Sequence, residues 1–88
     1  MLFKKGMVVR SKKGHDKGRF YVVYETSECS VCLINGENRT PAAPKKKNML
    51  HLAPTKTVLS ETQLVSDGEI RKILAVFGGR AALPKEVK

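Results

Sequence analysis

The sequence has no tryptophan, two tyrosines and three phenylalanines, so aromatic residues can supply only a small part of a core. An 88-residue chain forms one small domain that buries roughly 60–65% of the surface its unfolded chain exposes. No apolar run approaches the roughly 20 residues of a membrane span. Residues 1–6 contain no long apolar segment and no small-residue cleavage site, so no secretory signal is predicted. We therefore expect a cytoplasmic protein with no membrane partner.

Acidic residues are also scarce, because eight Asp and Glu stand against 17 Lys and Arg, a net charge of +9. The excess lies in two segments: residues 1–24 hold seven basic residues and one acid, and residues 36–56 hold five and one. Such a charge attracts polyanions, and RNA or DNA is the commonest polyanion inside cells. The alternative is a basic surface that only keeps the protein soluble.

Residue patterns typical of catalysis are missing from the sequence. It has no paired-carboxylate spacing, no nucleophile beside a plausible base, and no phosphate loop of the Gly-Lys-Ser/Thr type. We therefore predict a protein that is not an enzyme and that needs neither a cofactor nor a small-molecule substrate.

The two cysteines form a Cys29-Ser30-Val31-Cys32 motif, which is half of a zinc site and a possible redox pair. His15 and His51 would complete a set of four ligands. Residues three apart in a strand point to opposite faces, however, so regular β geometry suits neither chelation nor a disulfide. We predict two buried, reduced thiols and no metal.

A glycine-rich basic stretch, Gly14-His15-Asp16-Lys17-Gly18-Arg19, lies between two β-like runs, Met7–Ser11 and Phe20–Tyr24. Glycine reaches positive φ cheaply, as a tight connection between strands usually requires. The continuously apolar run Phe20–Tyr24 predicts a strand covered on both faces. The sequence thus predicts a basic loop presented by two strands.

Further short strands are predicted over Cys29–Asn35 and His51–Ala53, with Glu25–Glu28 as a polar turn and Pro54 as a strand end. Asn35-Gly36 indicates a type I′ hairpin. Pro41 and Pro44 do not suit a central ladder. The run Pro44-Lys45-Lys46-Lys47-Asn48 is predicted to be exposed. About five short strands in fifty residues suit a small, partly open barrel.

The remaining residues divide into a linker over 55–65, a helix segment over 66–79 and a flexible tail over 80–88. Ser66 and Glu69 form a capping-box pattern, and Gly78-Gly79 supplies a C-cap. Within the helix, Asp67–Phe77, the residues Ile70, Ile73, Leu74 and Phe77 make one apolar stripe. So short a helix must dock, either on its own barrel or on a partner.

The pattern Gly6, Val8-Val9, Gly14-x-Asp16-Lys17-Gly18-Arg19 and a following apolar strand resembles the KOW motif of ribosomal proteins and transcription-elongation factors. Downstream, Asn35-Gly36-x-x-Arg39, Pro44–Asn48 and His51-Leu52 are similar to short KOW-domain RNA-binding proteins related to the fourteen-e type large-subunit ribosomal protein of archaea and eukaryotes. The resemblance covers residues 5–57. It implies a mainly β fold, an SH3-like (KOW) barrel over residues 4–54, to which the sequence itself adds the short C-terminal helix.

The function that the charge pattern and the resemblance together predict is binding of structured, in particular ribosomal, RNA by a ribosomal or ribosome-associated protein. Large-subunit ribosomal proteins would be further partners. Gly14, Asp16 and Gly18 are predicted to shape the loop, with Asp16 accepting hydrogen bonds from loop backbone N–H groups. A protein-interaction module that uses the helix, and nonspecific DNA binding, remain alternatives. The predicted RNA-binding residues are Lys12, Lys13, His15, Lys17, Arg19, Arg39, Lys45, Lys46, Lys47, Asn48 and His51.

Overall fold

Five antiparallel strands make one sheet in the order β4-β3-β2-β1-β5. The structure is a computed structural model that describes residues 3–78. Its elements are β1 (Met7–Ser11), β2 (Phe20–Thr26), β3 (Ser30–Ile34), β4 (Lys45–Asn48), a 3-10 turn (Met49–His51), β5 (Leu52–Val58), α1 (Glu61–Leu64) and α2 (Asp67–Gly78). The predicted mainly-β class with a C-terminal helix is confirmed.

Both faces of the central strands are buried, as the apolar run in β2 predicts. Val22 faces one side of the sheet and Tyr21 and Val23 face the other, and all three are at most 5% exposed. In β1, Val8 and Val9 divide between the same two sides. β-Branched residues fit such a pleated, two-sided environment because their stiff side chains pack well against neighbouring strands.

The inner core lies on one face of the sheet, and within residues 3–78 neither α1 nor α2 contributes to it. Its buried members are Phe3, Met7, Val9, Tyr21, Val23, Val31, Leu33 and Leu52. Since this face is covered by the strands, the N-terminal segment and Met49 of the 3-10 turn, the sheet must curve over its own surface. Among residues 3–78, however, no ladder joins β4 to β5. The predicted barrel is therefore a curved, open sheet, and its last strand continues beyond residue 54.

The outer core joins the opposite face to both helices. Ile70 and Leu74 of α2 are buried against Val8, Val22 and Ile34. Ile73 and Phe77 are partly buried there, and the Phe77 ring lies 5.4 Å from that of Phe20. The predicted apolar stripe is thus confirmed, and the helix docks on its own chain.

The cap of α2 is only half of the predicted capping box. The Ser66 hydroxyl accepts a hydrogen bond from the Glu69 N–H at 3.3 Å. The Ser66 N–H, however, donates to the carbonyl of Gln63, because α1 ends at Leu64, only two residues earlier. The second glycine of the Gly78-Gly79 C-cap and the tail over 80–88 lie outside the described residues.

The predicted linker over 55–65 is wrong. Strand β5 runs to Val58, Leu59 is 4% exposed, and α1 carries Leu64 into the outer core. Helix α1 begins at a complete capping box, in which Ser60 and Gln63 satisfy each other's backbone N–H groups. Isolated leucines between polar residues gave no periodicity, although the Ser-x-x-Gln signature was present in the sequence.

Several predicted strand boundaries are also corrected. Pro54 does not end a strand: β5 is an edge strand, where a residue without an N–H is tolerated. The predicted turn over Glu25–Glu28 begins two residues later, because β2 continues to Thr26. The predicted strand over Cys29–Asn35 is Ser30–Ile34, and His51–Ala53 divides between the 3-10 turn and β5.

The Asn35-Gly36 turn is not of type I′, because Gly36 has φ 77° but Asn35 does not have positive φ. The Asn35 side chain instead accepts hydrogen bonds from the N–H groups of Glu37 and Arg39. The chain then makes a second turn, bridged between Thr40 and Ala43, before β4 begins. Pro41 and Pro44 lie outside the strands, as predicted.

Within residues 3–78, no helix is both long and apolar enough to cross a membrane.

Candidate nucleic-acid interface

The basic loop, residues 12–19, is closed by backbone hydrogen bonds at both ends. The Gly18 N–H donates to the Ser11 carbonyl at 2.8 Å, and the Lys12 N–H donates to the His51 carbonyl at 2.8 Å. Gly14 and Gly18 have φ values of 92° and 91°, which confirms the predicted left-handed backbone at both glycines. The second bond ties the loop to the 3-10 turn that precedes β5.

A buried carboxylate fixes the loop from the inside. Asp16 is 9% exposed, and its Oδ1 accepts hydrogen bonds from the Ser11 hydroxyl at 2.9 Å and from Lys47 Nζ at 2.8 Å. Lys47 Nζ also donates to the Lys13 carbonyl at 2.9 Å. Lys45 Nζ lies 3.6 Å from Asp16 Oδ2. One acid of the basic loop therefore holds two lysines of β4.

The ion pairs decide the charge state of Asp16. Burial by itself would raise the pKa of Asp16, but hydrogen bonds from Lys47 and Ser11 and the positive charge of Lys47 outweigh it and hold that pKa well below its usual range. Burial and the neighbouring Asp16 charge raise the pKa of Tyr21, with partial compensation from Arg19 and Arg39. Asp16 is thus ionised at neutral pH and Tyr21 is neutral.

The predicted role of Asp16 is therefore corrected in its partners. The sequence predicts that its carboxylate accepts from loop backbone N–H groups, whereas the described contacts come from side chains of Ser11 and Lys47. Its backbone carbonyl does accept the Arg19 N–H at 2.9 Å. The residue shapes the loop, but it does so by binding β4.

The triple-lysine run is not the uniformly exposed segment predicted from the sequence. Residues Lys45–Asn48 form strand β4, in which Lys45 and Lys47 pair with Leu33 and Val31 and share their inner face. The Lys47 side chain is 10% exposed and that of Lys45 is 29% exposed. Lys46 pairs with Cys32 on the other face and is exposed. Alternation along a strand accounts for this division.

The predicted RNA-binding residues therefore fall into two groups. The first consists of exposed side chains, and we call its five cations, Lys12, Lys13, Lys17, Arg19 and Lys46, the exposed cation set. His15 is also exposed on the basic loop, and Asn48 is exposed at the end of β4. The second group is half-buried and consists of Arg39, Lys45, Lys47 and His51. The structure thus places the basic loop beside the triple-lysine run. Two lysines of that run, Lys45 and Lys47, are half-buried rather than exposed.

Two members of the predicted set, Asn48 and His51, hold the 3-10 turn that anchors the loop. The Asn48 side-chain oxygen accepts the Leu50 N–H at 2.8 Å and caps the turn. The His51 carbonyl receives the Lys12 N–H. Arg39 closes the turn after β3, where its carbonyl accepts the Asn35 N–H.

Sequence reasoning missed Arg71, whose guanidinium donates a hydrogen bond of 2.6 Å to the Gly36 carbonyl. Arg71 follows Ile70 of the apolar stripe, and this place on the helix is the sequence signal that could have identified it.

The prediction of two buried thiols is wrong, since Cys29 is exposed and Cys32 is half-buried. Among residues 3–78, no group of three His, Cys, Asp or Glu side chains is arranged as metal ligands.

Comparison with protein-family models and with curated proteins found no match for this chain. Its class therefore rests on the fold and the site: a small mainly-β domain that presents a braced, cationic loop beside an edge strand.

Proposed function

We propose that this protein binds structured RNA, in particular ribosomal RNA, as a cytoplasmic ribosomal or ribosome-associated protein. The observation that carries the proposal is the basic loop, where four exposed cations stand on a backbone braced by the Asp16–Lys47 pair. Lysine provides point-charge contacts to phosphate, and Arg19 can bind phosphate through two N–H groups. The resemblance of the same residues to the KOW motif supports this function.

The mechanism is recognition of backbone shape. Duplex RNA hides its base edges in a narrow major groove, so proteins bind it mainly through phosphates and the 2′-hydroxyl groups. A braced loop loses little conformational freedom on binding, which favours affinity. The exposed cation set would supply the contacts, while Lys45 and Lys47 keep the loop in place.

The packing of α2 favours RNA over the alternative of a protein-interaction module built on that helix. Ile70 and Leu74 are buried in the outer core, and Ile73 and Phe77 pack against it. The helix therefore does not offer its apolar stripe to a partner, which leaves the cationic surface as the best-supported interface.

A salt series tests the proposal. We expect the wild-type affinity for a ribosomal RNA hairpin to fall steeply between 50 and 200 mM salt, because each phosphate contact adds roughly 0.7–0.9 to the log–log slope. Replacing Lys12, Lys13 and Lys17 together by Gln should lower the slope by about 2. The measurement is fluorescence anisotropy at four or more salt concentrations.

The matched control replaces Lys4, Lys56 and Lys72 by Gln, which removes the same charge from exposed positions outside the basic loop. We expect its slope to stay close to that of the wild type. Equal slope losses in both triple variants would show that only net charge matters. A wild-type affinity that is as high for a duplex DNA of the same length would favour nonspecific DNA binding.

A further inference from the structure

A groove of about 310 Å³ opens next to the basic loop, between the start of β2, the turn after β3 and helix α2. Its lining includes Arg19, Phe20, Asn35, Glu37, Arg71 and Leu74. Arg19 belongs to both the groove and the loop, so an RNA held by the loop would lie close to the mouth of the groove. None of the other five belongs to the exposed cation set.

The walls of the groove are fixed by contacts within the protein. The Arg71 guanidinium donates to the Gly36 carbonyl at 2.6 Å, which joins α2 to the turn. The Asn35 side-chain oxygen accepts two backbone N–H groups, and its amide donates to Asn38 at 2.9 Å. Phe20 is held by the Phe77 ring at 5.4 Å. The cavity is therefore formed before any ligand arrives.

The chemistry of the lining is mixed in a way that suits a nucleotide. Arg19 and Arg71 are cations, Phe20 is a half-buried aromatic ring, and Glu37 is an exposed carboxylate. A guanidinium binds phosphate or stacks on a base, an aromatic ring offers a stacking surface, and a carboxylate accepts hydrogen bonds from base amino groups. Glu37 would repel a phosphate, so a purely anionic ligand fits the groove less well than a base.

The size of the groove also selects among nucleic-acid ligands. Pockets for small ligands run from roughly 300 to 1,000 Å³, so this groove takes one nucleoside-sized group and no helix. A base enters such a site only if it is unpaired, as in bulges and loops of RNA.

We propose that the groove receives one unpaired base of the RNA whose phosphates are held by the basic loop. The inference rests on the proposed function and makes it more specific. The basic loop supplies affinity that does not depend on the RNA sequence. The groove adds a preference for an RNA that has an unpaired, splayed-out nucleotide next to the phosphates held by the loop.

The test compares two RNA hairpins that differ only by one bulged adenosine, with anisotropy measured at fixed salt. The wild type should bind the bulged hairpin roughly 5- to 150-fold more tightly, the range expected for one stacked base. Ala75 lines the groove on α2, and Ala75→Met adds a helix-compatible side chain that fills it. This variant should lose the preference and keep the affinity of the wild type for the plain hairpin.

The control is Val76→Met on the same helix, where the native side chain is 68% exposed. It should keep the full preference for the bulge. Nuclear magnetic resonance with adenosine monophosphate gives a second readout: residues 35–37, 71 and 75 should shift, and ribose 5-phosphate should leave them unmoved. Thermal unfolding confirms that both variants fold.

The outcomes separate the two proposals. If both hairpins bind equally and with steep salt dependence, the groove assignment is wrong and the loop proposal stands. If Ala75→Met folds and retains the preference, the base sits elsewhere and the assignment is again wrong. If neither hairpin binds, RNA binding is wrong and the groove assignment falls with it.

Discussion

Replacing Asp16 by Asn should lower the free energy of unfolding by about 2–4 kcal/mol, a large part of the roughly 4–13 kcal/mol expected for a chain of this length. The substitution leaves the Lys47 ammonium, on a side chain that is 10% exposed, without its counter-charge and weakens the field that holds Lys45. Breaking a buried pair by removing one partner is costly because the remaining charge stays desolvated. Urea unfolding at pH 7 measures the change, and the melting temperature should fall by roughly 10–25 °C.

The control is Glu28→Gln, which removes the same charge from an exposed residue in the turn after β2. Its free energy of unfolding should stay within about 0.5 kcal/mol of the wild type. A similar loss in both variants would mean that overall charge, rather than the buried pair, determines stability.

The same pair predicts a direction for the pH dependence. The pKa of Asp16 in the folded protein lies below its value of about 3.9 in the unfolded chain. The contribution of ionised Asp16 to the free energy of unfolding is therefore complete above pH 4 to 5. It is lost as the pH falls through the pKa that Asp16 has in the folded protein. The stability gap between wild type and Asp16→Asn should be constant from pH 5 to 8 and should shrink between pH 4 and 2. A gap that widens with acidity would contradict the assignment.

Replacing Gly36 by Ala should destabilise the protein by about 3 kcal/mol, because the substitution combines two unfavourable effects. Gly36 has φ 77°, and an added Cβ would lie 2.6 Å from the Asp67 carbonyl and 3.3 Å from Ile70 Cβ. The first effect strains the backbone, and the second pushes the N-terminal end of α2 away from the sheet. Denaturant unfolding followed by circular dichroism measures both the stability and the helix content.

Gly18→Ala provides a matched comparison, because Gly18 has φ 91° but nothing lies within 4 Å of its added Cβ. Only the backbone strain remains there, so the loss should be about 1–2 kcal/mol. The difference between the two variants isolates the contact between the turn and the helix. Equal losses would show that the helix can move away without penalty.

The sequence predicted the elements whose signals are local. Strand β1 and the helix Asp67–Phe77 follow from β-branched residues and from an apolar stripe at helical spacing. The two loop glycines follow from the need for positive φ. In contrast, strand β5 has only one buried residue, Leu52, so the sequence after it predicts a linker rather than an edge strand. Its place is set by pairing with β1, which is distant in the sequence.

Composition alone cannot predict which lysines of β4 hold Asp16 and which are exposed. Three identical residues in a row hide the alternation that a strand imposes, and Asp16 lies 31 residues from its partner Lys47. The sequence correctly singled out Asp16 as structural, since a carboxylate repels phosphate. Only the register of β3 with β4 shows that Lys47, and not Lys46, faces it. The sequence explains Gly36 by a turn type, whereas in the structure an added Cβ at Gly36 would meet Asp67 and Ile70 of α2.

The most direct test compares Lys46→Met with Lys47→Met, two substitutions one residue apart that remove the same charge. Lys47→Met should lower the free energy of unfolding by about 2 kcal/mol and leave the log–log salt slope of RNA binding unchanged, because Lys47 is paired with Asp16 and does not belong to the exposed cation set. Lys46→Met should leave stability within about 0.5 kcal/mol and lower the slope by roughly 0.7–0.9. The reverse pattern, or equal effects of the two substitutions on both quantities, would contradict a loop braced by one lysine and an RNA surface built from its exposed neighbours.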